Sequence, residues 1–80
     1  MEAKEKIEEV ISSLEETEID NLIKEELIDI LNEALELKNK ESIIDKLEEF
    51  IYELDNSNID EQLKEEISYE IEEIIDLLSH

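Results

Sequence analysis

Apolar residues at Ala3, Ile7, Val10, Ile11 and Leu14 keep the i, i+3, i+4, i+7 rhythm that lines one face of an α-helix. The polar stretch Glu15 to Glu18 interrupts it. The rhythm then resumes and predicts a second helix from about Glu18 to Lys38. A third helix follows from Ile43, Ile44, Leu47, Phe50, Ile51 and Leu54, and Asp55-Asn56-Ser57-Asn58 breaks it. A fourth carries Ile59, Leu63, Ile67, Ile71, Ile74, Ile75 and Leu78 on one side. The expected order is short, long, short, long, with connections of a few residues each. Connections that short make sequential helices antiparallel neighbours.

Capping chemistry sharpens these boundaries. Thr17-Glu18-Ile19-Asp20 reads as a shortened capping box, a hydroxyl at the N-cap and an acid three residues on. Ser42-Ile43-Ile44-Asp45 and Ser57-Asn58-Ile59-Asp60 repeat the pattern. Asn39 is the natural candidate for a left-handed C-cap after the second helix, since the chain has no glycine.

The chain also repeats itself. Residues 6–40 align with residues 46–80 without a gap, and twelve of the 35 pairs are identical. Lys6, Glu8, Glu9, Ile11 and Leu14 recur as Lys46, Glu48, Glu49, Ile51 and Leu54. A period of this length marks a duplicated supersecondary unit. The fold class is therefore all-α: an antiparallel four-helix bundle of two tandem α-hairpin repeats, residues 1–40 and 41–80, in one domain with pseudo-twofold symmetry.

The copies disagree at Leu22/Gln62, Ile28/Ser68, Ile30/Glu70 and Ser12/Tyr52. In the second helix these differences widen the apolar arc beyond half the circumference, which implies burial on more than one side. Either this helix lies centrally in the bundle, or Leu22, Ile28 and Leu35 form a face for a partner or a second copy. Tyr52 and Tyr69 fall on outer faces of the third and fourth helices. Single exposed tyrosines are ordinary, and they are also the aromatic anchors a binding face would use.

Composition removes several classes of chemistry. Eighty residues form one small domain near the lower size limit for an unstapled core. Without Cys there is neither a disulfide nor a thiolate metal site, and without Gly there is no phosphate-cradling loop. No apolar run reaches the length of a membrane span, and the first residues lack the apolar region of a signal peptide. A cytoplasmic, intracellular location is the default expectation. His80 is the only histidine, so neither a Glu-x-x-His di-iron site nor a Ser-His-Asp triad can be assembled. A calcium loop starting at Asp55 would end correctly at Glu66. It departs from the pattern at Ile59, Asp60 and Gln62. The reading is of a protein that is not an enzyme, with no cofactor and no metal.

Charge is what remains. Twenty-seven acids against seven lysines give a net charge of −20. A small domain needs only about 2–8 charges for solubility. Such a surface repels nucleic acid and anionic membranes, because phosphate neutralisation requires clustered Lys and Arg. The pairs Glu8-Glu9, Glu25-Glu26, Glu48-Glu49, Glu65-Glu66 and Glu72-Glu73 supply the candidate acidic surface. The leading expectation is a non-enzymatic binding protein that engages a basic protein, in its most specific form by imitating a nucleic-acid backbone. The alternatives are an assembly module that dimerises through the second helix, and a stable helical protein, natural or engineered, without a selected partner.

Overall fold

The computed structural model describes residues 2–80, so Met1 lies outside the description. It contains four α-helices: α1 Glu2–Glu16, α2 Asn21–Glu36, α3 Lys40–Asn56 and α4 Glu61–Ser79. Each helix packs on the next and α4 closes back on α1, while the diagonal pairs keep their backbones apart. This is a square, antiparallel up-down-up-down bundle. Exchanging α1 with α3 and α2 with α4 maps the ring onto itself, which places a pseudo-twofold axis along the bundle. The radius of gyration is 11.6 Å, the value of about 12 Å expected of a close-packed chain this long.

Every residue buried in the core is apolar. Ile7, Val10 and Leu14 of α1 meet Leu27, Leu31 and Ala34 of α2, Ile43, Leu47, Phe50 and Leu54 of α3, and Ile67, Ile71 and Ile74 of α4 in one continuous cluster. No polar or charged side chain is buried among the described residues. That matters in a chain of this charge, because an unpaired buried carboxylate would be among the most costly defects available to it.

The helices are nearly equal, at 15, 16, 17 and 19 residues, rather than alternating short and long. The reason lies in the caps. Asp20, not Thr17, begins α2: its side chain accepts the Leu22 N–H at 2.9 Å. Asp60, not Ser57, begins α4 and accepts the Leu63 N–H at 3.2 Å. The hydroxyls of Thr17 and Ser57 instead donate backward, to the carbonyls of Ser13 at 2.7 Å and Leu54 at 2.6 Å. They finish α1 and α3 rather than start their successors. Asn39 is likewise corrected. It has φ −86° and accepts the N–H groups of Glu41 and Ser42, so it is the N-cap of α3, and Ser42 lies inside the first turn.

A chain without glycine lacks the usual left-handed helix terminator, and no described residue has positive φ. Thr17, Leu37 and Ser57 each donate N–H to a carbonyl three residues back, at 3.2 Å in every case. The chain then leaves each helix in extended conformation, as at Leu37 (φ −78°, ψ 149°) and Ser57 (φ −82°, ψ 155°). The second cap is borrowed. No helix has a cation in its own last turn. Lys24 of α2 reaches the Glu15 carbonyl at 3.3 Å, and Lys64 of α4 reaches the Asp55 carbonyl at 3.2 Å. A cation there meets the negative end of the α1 or α3 dipole, and it fastens each hairpin across its turn.

These assignments are testable by chemical denaturation. Asp20→Ala and Asp60→Ala should each lower stability by about 1 kcal/mol, the usual loss for an N-cap. Thr17→Ala should cost less than about 0.5 kcal/mol, as for an exposed surface change. A larger loss at Thr17 than at Asp20 would restore the original capping box.

Candidate functional site

The duplication supplies an internal standard for finding a site. Under the pseudo-twofold, the seam between α2 and α3 corresponds to the seam between α4 and α1. The first is the most extensive helix contact in the molecule and the second the least. Part of the difference is connectivity, because residues 37–39 join α2 to α3 while no turn joins α1 to α4, and part comes from individual residues. In the α2–α3 seam, Ile30 is 8% exposed and Phe50 fully buried. Their counterparts in the α1–α4 seam are Glu70, which is exposed, and the much smaller Val10. Glu53 is matched by Ser13. Only one exchange goes the other way: Ile74 stands where the first seam has Ala34.

The result is an open groove of about 340 Å³ along α1 and α4. Val10 and Ile74 form its floor, and Glu9, Ser13, Glu70 and Glu73 its sides, with Lys6 at one end. Beyond Lys6 and Glu73 it continues into a second depression of about 260 Å³ lined by Asp76, Leu77 and His80. Leu77 is one of the few large apolar side chains exposed in the molecule.

Electrostatics separate the two seams in the same direction. Across α2–α3, Lys46 bridges Glu33 at 2.8 Å and Glu49 at 3.4 Å. The hydrogen bond that Lys46 donates to Glu33 raises the Lys46 pKa above its ordinary 10.5, against a smaller opposing effect of desolvation. The equivalent trio in the groove is Lys6, Glu73 and Glu9, and Lys6 has no carboxylate within 4 Å among the described residues. The same three residue types are present but the pair is not made, so the walls of the groove keep their charge unpaired.

Comparison of the chain with family models, with characterised proteins and with solved structures finds no match. The site therefore has to be judged on its own chemistry.

Of the residues singled out in the sequence, Ile28 and Leu35 lie half-buried against the core. The broad apolar arc of α2 thus serves two neighbouring helices, and of the three only Leu22 projects freely, at 73% exposure. Tyr52 and Tyr69 stand out at 67% and 65%. Tyr69 sits with Glu65, Glu66 and Glu70 in a shallow depression on α4. The ten paired glutamates are all exposed, and of them the groove brings together Glu9 and Glu73. Its other lining residues, Lys6, Val10, Ser13 and Ile74, carry no signal as individuals. Their signal is the volume lost between Phe50 and Val10, which a comparison of apolar with apolar passes over.

The acids cover the whole molecule. Helices α1, α2 and α3 each carry net −4 and α4 carries −6. Among the described residues only Glu33, Glu49 and Glu61 have a lysine nitrogen within 4 Å. No described group of acids and histidine is arranged to hold a metal ion. No described helix is long and apolar enough to cross a membrane.

Two measurements check this account of the seams. Glu70→Ile should raise unfolding free energy by about 1 kcal/mol or more, by burying an apolar side chain where charge now stands. Ile30→Glu should lower it by at least about 2 kcal/mol. Equal effects at the two positions would mean that the seams pack alike. For Lys46 the sign is fixed by linkage: a raised folded-state pKa contributes stability below pH 10.5 that is lost as pH climbs through the folded value. The stability gap between the native chain and Lys46→Gln should be constant up to about pH 10 and close above it. A gap unchanged at pH 12 would exclude the Glu33 pair as its source.

Proposed function

We propose that this chain is a non-catalytic binding protein whose carboxylate-covered helices engage a strongly cationic protein. The observation that supports the reading is how the lysines are deployed. Lys24 and Lys64 are tied to helix ends, and Lys46 to the tighter seam. These three of the seven lysines serve the fold, and nearly all carboxylates face solvent without a cation. A surface held in that state stores electrostatic free energy that a basic partner would release, and it steers such a partner toward it from a distance.

The finer form of the reading is imitation of a nucleic-acid backbone. Acidic residues three or four apart on one helix face have Cβ atoms about 5–6 Å from one another, on the scale of successive phosphates. The excess charge of α4 favours that helix, through Glu65, Glu66, Glu72 and Glu73, as the leading edge of such a surface. The even spread over α1 to α3 is also what a purely solubilising shell would have, so selectivity is the quantity to measure. Self-association through α2 has less to draw on, because Leu22 is the one freely exposed member of its proposed face.

The test is titration of the purified chain against a set of purified basic proteins, both nucleic-acid-binding and not, at several salt concentrations. Saturable binding to a subset, weakening steeply with salt and displaced by duplex DNA, is the expected result. Equal, weak retention by every cationic protein would reduce the acidity to a solubilising role.

A further inference from the structure

We propose that the groove between α1 and α4 is the seat of one cationic amphipathic α-helix from another protein. The proposal rests on the acidic-binding reading and gives it a location and a class of partner.

The groove runs along two packed helices and has room for side chains projecting from a third. The equivalent seam shows what fills such a gap when the bundle closes it by itself: the apolar side chains of Ile30 and Phe50. In the α1–α4 seam neither is present, and Val10 and Ile74, themselves buried in the core, lie at the bottom of a groove walled by exposed Glu9, Glu70 and Glu73. From Glu70 to His80 the α4 wall runs about 15 Å at 1.5 Å per residue, which is nearly three helical turns. Apolar residues of an incoming helix at i, i+3 or i+4 and i+7 would rest successively over Val10 and Ile74 and against Leu77. This is the helix-in-groove mode. The competing mode, addition of a strand, needs an exposed sheet edge, and all four elements of this domain are helices.

The charge selects the occupant. Glu9 on one wall and Glu70, Glu73 and Asp76 on the other flank the floor, against Lys6 alone. An incoming helix with Lys or Arg on both sides of its apolar stripe meets a carboxylate on each side. A second copy of this chain would bring a further −20 to the contact, and nucleic acid or an anionic membrane would be repelled likewise. The same acids explain why the groove stays open: Glu70 in place of isoleucine prevents α1 and α4 from closing on each other as α2 and α3 do.

The experiment is an amide-resolved NMR titration of the folded chain at 150 mM salt. The probe is a synthetic 15-residue helical peptide with leucines on one stripe and lysines flanking it. A peptide of the same composition with scattered leucines serves as control. Shifts should concentrate in Lys6–Ser13 and Glu70–Leu77, and the scattered peptide should bind at least tenfold more weakly. Glu70→Ile, which fills the groove, should weaken binding at least tenfold, and Asn32→Ala at an exposed position on α2 less than twofold. Thermal melts confirm that each variant is folded. Shifts spread evenly over all four helices, with Glu70→Ile binding as before, would overturn the groove and leave the acidic-surface reading standing. No binding of either peptide, even at 20 mM salt, would overturn both. Groove shifts produced by raising the protein concentration alone would assign the groove to a second copy and overturn the cationic-helix proposal.

Discussion

Self-repulsion is the constraint to which the rest of this structure answers. A net charge of −20 on 80 residues opposes compaction at every distance shorter than the screening length. The opposing force is apolar burial, and the burial is uncompromised: the core contains no polar atom in need of a partner among the described residues. The cations are too few to neutralise the surface, and three of the seven act at defined places in the fold. Lys24 and Lys64 each sit at the negative end of a neighbouring helix, on carbonyls that have no other cation. Lys46 joins two helices through Glu33 while also holding Glu49. Long-range repulsion is overcome by apolar burial, and favourable local electrostatics at the turns and at one seam add modestly to it.

The sequence is legible where the physics is periodic. Apolar spacing places the four helices and their inward faces, and the 40-residue repeat implies the twofold arrangement of hairpins. Both survive because a helix face is set by many residues acting together. Boundaries depend on single side chains. Thr17 and Asp20 are both good caps, and so are Ser57 and Asp60. Which one begins the helix depends on the length the turn needs to bring antiparallel neighbours into register. The turn uses four residues, 17–20 and 57–60, and so the aspartate wins at both places while the hydroxyls turn back to the preceding helix. Asn39 changes role for a related reason. With the α2–α3 link only three residues long, there is no room for a left-handed C-cap and a separate N-cap, and the asparagine performs the second task.

The groove is hidden from a linear reading for a different reason. Val10 and Phe50 are both apolar, both buried and both at the same phase of the repeat, so the pattern scores them as equal. Packing does not, because interiors are filled to near-crystalline density and a missing ring has to be replaced by something. Ile74 replaces part of it from across the seam, and Glu70 prevents the rest. The exchange of Ile30 for Glu70 is visible in the alignment of the two halves. Its consequence is visible only once both residues are known to face a seam rather than solvent.

A duplicated domain makes such a reading stronger than it would be in a single-copy fold. In most proteins an open seam has no reference, and looseness cannot be told from design. Here the reference is built in: on the other side of the axis the same Lys-Glu-Glu trio makes its ion pairs and Ile30 and Phe50 are buried, with a depression of about 280 Å³ left only at the Leu37–Lys46 end. The two seams differ in connectivity, since residues 37–39 join α2 to α3 and no turn joins α1 to α4. They differ also by particular substitutions, and the most direct of them puts a carboxylate where an isoleucine would have stabilised the chain. In a molecule already burdened by self-repulsion, a residue that both weakens packing and adds charge works against folding on two counts. Retaining it is easier to understand if the carboxylate meets a cation that the chain itself does not supply.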